Sequence, residues 1–250
     1  HDMSARRDTM NCCLFDVENV LRGGFEMGNV WYNEPKTLDV AFDVIGDIVL
    51  SAASQQYGGF TVPSVDLILE PYAEKTYRKY LDKYARLGID PETAEAEANA
   101  DVVREFEQGF QGWEYKFNTV GSSRGDYPFI TVTAGTGTGR FARLATISML
   151  NVRRKGQGKA ECKKPVLFPK IVFLFDENLH GPGKPLEDVF EAGVLCSSKT
   201  MYPDWLSLTG KGYVASIYKK YGKIISPMGC RAFLSPWYER GGMHPADDQD

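Results

Sequence analysis

The strongest constraint on this chain is an alternation of short runs rich in β-branched and aromatic residues with much longer stretches of helical periodicity. Asn11 to Val17, holding Cys12 and Cys13 and flanked by acidic residues, predicts a buried strand. So does Phe129-Ile130-Thr131-Val132-Thr133, while Val166 to Phe175 predicts a second strand region with Pro169 inside it, and Lys223 to Ser226 a brief one. Between them, Leu38, Ala41, Phe42, Ile45, Ile48, Val49 and Ala52 mark a helix from Thr37 to about Tyr57, stopped by Gly58-Gly59. Ser64 is placed to cap a second helix running to Gly88, with Leu67, Ile68, Tyr77, Tyr80, Leu81, Tyr84 and Leu87 on one face. Asp90-Pro91 opens a third, as N-cap and first-turn proline, towards Val120. Two more helices are expected, from Phe141 to about Val152 and from Pro185 to about Ser198. Strands separated by helices imply an α/β fold with a parallel sheet, whose functional groups usually sit at strand ends and in the loops after them.

The chain is long enough for a substantial core: 250 residues, 43% of them hydrophobic. A net charge of −4 argues against a protein that lives on duplex DNA or on an anionic bilayer, and no run approaches the roughly 20 apolar residues of a membrane helix. Neither nucleic acid nor membrane is therefore expected as a partner, and the expected location is the cytoplasm. No repeat or linker divides the chain. It opens on His1-Asp2-Met3 without a secretory signal and stops within a polar run that begins near Glu239, which leads us to expect an internal fragment.

Chemistry is concentrated at few positions. Five cysteines, an odd number with no Cys-x-x-Cys pair, fit a reducing compartment. His1, His180 and His244 are too dispersed for a structural zinc site, so no metal is expected in this segment, and His180 is expected in a turn. Gly135 to Gly139, between a strand and a helix, is either a phosphate cradle or a plain tight turn, and it lacks the third glycine of the dinucleotide fingerprint. Ser122 to Asp126 is a polar loop whose Arg124 is a candidate anion ligand. Cys230, in Pro227-Met228-Gly229-Cys230-Arg231, has a small neighbour and a cation beside it, which favour an accessible, reactive sulfur. Strand alternation puts Cys12 and Cys13 on opposite faces, so at most one of them serves a given site. Cys162 and Cys196 are expected to be structural.

Nine runs occur in this order: His1-Asp2, Asn11-Cys12-Cys13-Leu14, Gly23 to Asn29, Pro35-Lys36-Thr37, Tyr57-Gly58-Gly59, Pro128-Phe129-Ile130-Thr131, Phe168-Pro169-Lys170, Met201-Tyr202-Pro203-Asp204 and Pro227 to Arg231. With them the chain resembles, over essentially its whole length, the anaerobic (class III) ribonucleoside-triphosphate reductases. The resemblance implies a glycyl radical enzyme built on a ten-stranded α/β barrel. Residues 1–250 would form an incomplete catalytic domain, an N-terminal half-barrel with a finger loop near residues 226–234. It implies that Cys230 is the transient thiyl radical that takes the 3′ hydrogen of a ribonucleotide. Cys12, on the substrate's other side, would supply reducing equivalents, with Asn11, Met228 and Gly229 as substrate contacts. Deoxynucleotide effectors and ATP, a homodimer, and a radical S-adenosylmethionine iron–sulfur activase are implied partners. Lys36 and Asp47 are candidate effector contacts, against the plainer reading of a solvated helix face.

The C-terminal glycine that stores the radical, the structural zinc site beside it and the N-terminal ATP-cone lie in regions that the 250 residues do not match. The segment alone is therefore expected to be inactive, and exposed sheet edges are expected to make it marginally stable. Two alternatives are a glycyl radical enzyme of the pyruvate formate-lyase type, whose adjacent cysteines belong to the finger loop, and a non-catalytic nucleotide-binding relative. The external reductant, formate or a thioredoxin-type thiol, is not specified by these residues.

Overall fold

A computed structural model of the protein describes residues 12–55, 58–121, 127, 129–227 and 233. In chain order its elements are β1 (Cys13–Leu14), α1 (Val17–Leu21), β2 (Phe25–Met27), β3 (Val30–Tyr32), α2 (Leu38–Ala53), β4 (Gly59–Val62), α3 (Val65–Arg86), α4 (Pro91–Thr119), β5 (Phe129–Ala134), α5 (Arg140–Lys155), β6 (Gln157–Lys159), β7 (Cys162–Lys164), β8 (Lys170–Phe175), α6 (Glu187–Thr200), β9 (Asp204–Ser207) and α7 (Tyr213–Tyr221). Five strands form one sheet in the order β1-β4-β5-β8-β9, every neighbouring pair parallel. The pairs β2–β3 and β6–β7 are antiparallel hairpins outside it. The α/β reading with a parallel sheet thus holds.

Register separates the residues of this sheet into two faces. Cys13, Phe60, Val62, Ile130, Val132, Ile171 and Phe173 point to the face covered by α2, α3, α4, α5 and α6 and enter the main hydrophobic core. The opposite face carries Thr61, Thr131, Thr133 and Lys170, with Leu174 in a smaller cluster that includes Leu208 and Val214. All three threonines are fully buried, so this second face is also covered.

Local boundaries follow local chemistry, with corrections. Asp90 caps α4 as expected, its carboxylate accepting the Thr93 N–H at 3.0 Å, with Pro91 in the first turn. Ser64 does not cap α3 through its side chain. It sits in a left-handed conformation (φ 49°), and its own N–H donates to Thr133 Oγ1 at 2.8 Å, which makes it a corner between β4 and α3. The strand expected from Val166 begins only at Lys170, because Pro169 has no N–H to give a ladder. The strand expected at Lys223 to Ser226 does not form. That stretch is irregular; Ile225 and Ser226 are buried, and Ser226 packs on the threonine face with its Oγ 3.2 Å from Thr133 Oγ1. The short strand β9, helix α7 and the β6–β7 hairpin were not anticipated.

One buried ion pair joins the helical layer to the start of β8. Arg153 is fully buried; its Nε donates to Glu114 Oε1 at 2.6 Å and one of its terminal nitrogens to the Pro169 carbonyl at 2.7 Å. Gln157 satisfies the other Glu114 oxygen at 2.6 Å, and the guanidinium stands 5.0 Å from the Tyr202 ring. Removing one member strands a desolvated charge. Arg153→Met is therefore expected to lower unfolding free energy by about 3–5 kcal/mol in urea denaturation, and adding Glu114→Gln is expected to recover part of that loss.

Candidate functional site

The sheet gathers the family-like runs at one end. Cys12-Cys13, Gly58-Gly59, Phe129, Pro169-Lys170 and Pro203-Asp204 all lie at strand starts, so residues almost the whole chain apart in sequence meet at the N-terminal mouth of the five strands. On the threonine face, the row Leu14, Thr61, Thr131 and Lys170 crosses four adjacent strands, and Thr133, Val172 and Asp204 form the next row. Cys12, one residue before Cys13 and therefore of opposite parity, belongs to this face; its Sγ accepts the Gly59 N–H at 3.2 Å. It is half-buried, whereas Cys13 is enclosed in the helix-side core. Burial first, and the neighbouring Cys12 second, push the Cys13 thiol up to about 11.

Lys170 and Asp204 are functional candidates that residue-by-residue reading passed over. Lys170 Nζ is 2.7 Å from Asp204 Oδ2, with the lysine side chain 11% exposed and the aspartate 48%. Their only sequence signal was membership of two of the quoted runs. Asn11, Met228, Gly229 and Cys230 lie outside the described residues, as does Arg124. The nearest described neighbours of the Cys230 loop, Ile225 to Pro227, are buried, and Ser226 touches Thr133 on the same face as Cys12.

Lys36 and Asp47 are not brought together with Cys12. Both are exposed at the start and in the body of α2, roughly 16 Å apart along its axis. Asp47 lies 3.9 Å from Lys116 Nζ of α4, which is held mainly by Asp43 at 3.0 Å. A cavity of about 300 Å³ lies between these two helices, floored by Phe42 and Trp113 and rimmed by Asp39, Asp43, Arg104 and Lys116.

At the opposite end of the sheet, the glycine loop is filled from within. The N–H groups of Gly135 and Gly137 both donate to Asp66 Oδ2, at 3.0 and 3.1 Å, and Asp66 is fully buried at the start of α3. A side chain at Gly137 would reach within 2.4 Å of Ala142 Cβ and 3.0 Å of the same carboxylate oxygen, which explains the glycine. The amides that a phosphate would need are thus already bound to an internal carboxylate, and the loop is a turn rather than a cradle. His180 is in a turn as expected. It is also a buried clasp, taking the Asp176 N–H on Nδ1 at 3.0 Å and bonding the Gly135 carbonyl through Nε2 at 2.8 Å. Burial lowers its pKa, so it stays neutral. Asp176 in turn accepts the Tyr218 hydroxyl at 3.0 Å. Among the described residues, no group of three His, Cys, Asp or Glu side chains is arranged to hold a metal.

Comparison with known proteins then decides the family. Residues 1–246 match the family of anaerobic ribonucleoside-triphosphate reductases. This chain belongs to that family. It is 34% identical over 251 residues to the reductase of Enterobacteria phage T4, covering all of this chain and 40% of the relative. It is 38% identical over 232 residues to that of Haemophilus influenzae, covering 92% of this chain and 31% of the relative. The chain thus spans well under half the length of these curated relatives. In three dimensions it is similar to the anaerobic ribonucleotide reductase of Thermotoga maritima solved with dATP and CTP, at a TM-score of 0.54 and 14% identity, over 83% of this chain and 34% of that one. That likeness supports the fold: the five parallel strands are part of the family's barrel.

Two outcomes follow from these environments. Under limiting iodoacetamide, Cys162, exposed on β7, and Cys12 are expected to be alkylated before Cys13 and Cys196, which peptide mass mapping would read; early labelling of Cys13 would contradict the strand parity. Burial raises the Asp66 pKa above the roughly 3.9 of an unfolded aspartate. A raised folded value favours the protonated native form, so stability is full below the unfolded pKa and declines as pH rises through the folded one. Asp66→Asn does not titrate, so its stability relative to the natural protein should grow with pH above about 4. Parallel pH–stability curves for the two proteins would rule this out.

Proposed function

We propose that this chain is the substrate-side half of the catalytic barrel of an anaerobic ribonucleoside-triphosphate reductase, converting ribonucleoside triphosphates to 2′-deoxyribonucleotides. The observation that carries the reading is the convergence on one sheet face. Cys12 stands at the start of β1, and the segment leading to Cys230 packs by Ser226 onto Thr133 of that same face. A reaction that passes through a sulfur radical needs one C–H bond held against one sulfur with water excluded, and a fully buried threonine face meets the second requirement.

In this reading Cys230 takes the 3′ hydrogen of the ribose. Cys12 gives a proton to the 2′-hydroxyl, which leaves as water. The net reduction consumes two electrons and two protons from an external reductant, with Cys12 passing on reducing equivalents, and the 3′ hydrogen returns to the sugar from Cys230. One-electron chemistry would come from a glycyl radical outside these residues, installed by a radical S-adenosylmethionine iron–sulfur activase. Structural zinc belongs to the same C-terminal region of the family. Substrate contacts from Asn11, Met228 and Gly229, ATP and deoxynucleotide effectors near Lys36 and Asp47, a homodimer and a cytoplasmic setting complete the proposal. The cavity along α2 is lined by neither Lys36 nor Asp47; its cations Arg104 and Lys116 are paired with Asp101 and Asp43, and Asp39, Asp43 and Glu105 line it as well. Among the described residues, no helix is long and apolar enough to cross a membrane.

In a full-length reductase carrying this segment, Cys230→Ala is expected to abolish deoxynucleotide formation while leaving nucleotide affinity within about threefold, less than the weight of one ordinary hydrogen bond. Turnover that survives the substitution would overturn the thiyl assignment.

A further inference from the structure

Threonine is stiff at χ1, so a buried threonine whose hydroxyl is already bound holds that oxygen at a fixed point. Thr133, fully buried on β5, is such a point: its Oγ1 accepts the Ser64 N–H at 2.8 Å from the left-handed corner between β4 and α3. The same oxygen lies 3.2 Å from Ser226 Oγ, and Ser226 is itself buried. Pro227 follows, also buried; its ring fixes its own φ and disfavours helical backbone at Ser226, so the chain leaves this contact with little torsional freedom. Ile224 and Phe233, on either side of the run that holds Cys230, both pack on the cluster of Leu174, Leu208 and Val214. Both feet of that run therefore meet the sheet on the neighbouring strands β5 and β8, near the strand ends farthest from Cys12. Cys12 is level with Gly59 and Phe129, two strands across from Thr133 and four residues below it, roughly 16 Å away by strand spacing and rise. Cys230 is four residues beyond Ser226, a reach of at most about 14 Å. To face Cys12 across a sugar the loop must run from this anchor toward the mouth of the sheet. Slippage of the anchor by one residue's rise, about 3.3 Å, exceeds the tolerance of a reacting contact.

We propose that Thr133 and Ser226 are positioning residues for the reaction: their hydroxyl pair, fixed by the Ser64 N–H, sets where the Cys230 sulfur stands relative to Cys12. This rests on the reductase reading above and adds to it the point from which the Cys230 loop is hung. Both residues act through Cys230 and perform no chemical step. Two buried hydroxyls that face each other fix a distance and a direction, which apolar side chains of the same size would fill without specifying.

The test is steady-state CTP reduction by a full-length, activated reductase carrying this segment, with kcat referred to the glycyl radical content of each variant. Ser226→Ala, which leaves the Ser64 bond to Thr133 in place, is expected to lower kcat at least about tenfold while KM for CTP stays within about threefold, as a misplaced reacting group would. Thr133→Val is expected to do the same, and Thr133→Ser to keep kcat within about threefold of the natural enzyme. Packing alone would rank those two the other way, since serine loses a methyl group and valine loses no volume. Ser226→Ala combined with Thr133→Val is expected to lose no more than the worse single variant, because both remove one interaction. A smaller loss in Ser226→Ala, higher turnover in Thr133→Val than in Thr133→Ser, or fully multiplicative losses in the double variant would each overturn the assignment. If Thr133→Val does not fold, Ser226→Ala decides alone: the tenfold loss at steady KM upholds the pair, and anything less overturns it. Turnover that survives Cys230→Ala would sink the reductase reading and this pair with it, whereas Cys230-dependent turnover that Ser226→Ala leaves at its natural level removes the pair alone.

Discussion

A parallel sheet must be covered on both faces, because its crossover connections and its unbroken ladder leave neither side suited to water. Here the two coverings differ in kind. Helices α2 to α6 bury Phe60, Val62, Ile130, Val132, Ile171 and Phe173 in a continuous apolar core. On the other face, which carries Thr61, Thr131, Thr133 and Lys170, the chain after β9 packs onto Thr133 through Ser226 and onto Leu174 through Leu208 and Val214. Burying hydroxyls and an ammonium is tolerable only where partners exist, as Ser226 and Ser64 provide for Thr133 and Asp204 for Lys170. The chemical character of the molecule follows from that asymmetry: one face is an apolar core, and the other carries hydroxyls, an ammonium and Cys12.

The ends of the sheet are also divided. In many parallel α/β proteins the C-terminal ends of the strands hold the ligand. In this chain those ends are closed from within, by Asp66 in the glycine loop, His180 between Asp176 and Gly135, and Tyr218 on Asp176. The N-terminal mouth instead collects Cys12, Gly59, Phe129, Lys170 and Asp204. Arg153, buried against Glu114 and the Pro169 carbonyl, fixes the approach to that mouth from the helical side. Its role is to hold the start of β8, and through β8 the position of Lys170.

Much of the fold was legible in the chain. The periodicity of α2, the Asp90-Pro91 start of α4, the β-branched run of β5 and the α/β class all come from local chemistry, because each depends on side chains within a turn or a strand of one another. The failures also share a cause. Ser64 looked like a cap and became a corner, since a threonine distant in sequence offered its N–H a better acceptor. Lys223 to Ser226 has the β-branched Ile224-Ile225 pair of a strand, but it is irregular: Ile225 and Ser226 are buried, and Ser226 meets Thr133 on the sheet face. Gly135 to Gly139 had the composition of a phosphate loop, and only the arrival of Asp66 from α3 showed that its amides were already engaged. In each case the deciding partner was too far along the chain for any local pattern to contain it.

For the site, the sequence by itself determined which residue types were present and which of the adjacent cysteines could serve one face, because strand parity is a local rule. It also carried the family resemblance, through short runs whose order survives without any structure. Tertiary structure decided where those runs meet. Parallel pairing aligns strand starts drawn from Cys13 to Asp204 along one edge, and register then sets Thr61, Thr131 and Lys170 at one height. Register is a property of pairs of strands, fixed by the helices that bury the far side of each. A lone lysine after a proline therefore gave no sign in the sequence that it would stand beside two buried threonines on the face that holds Cys12.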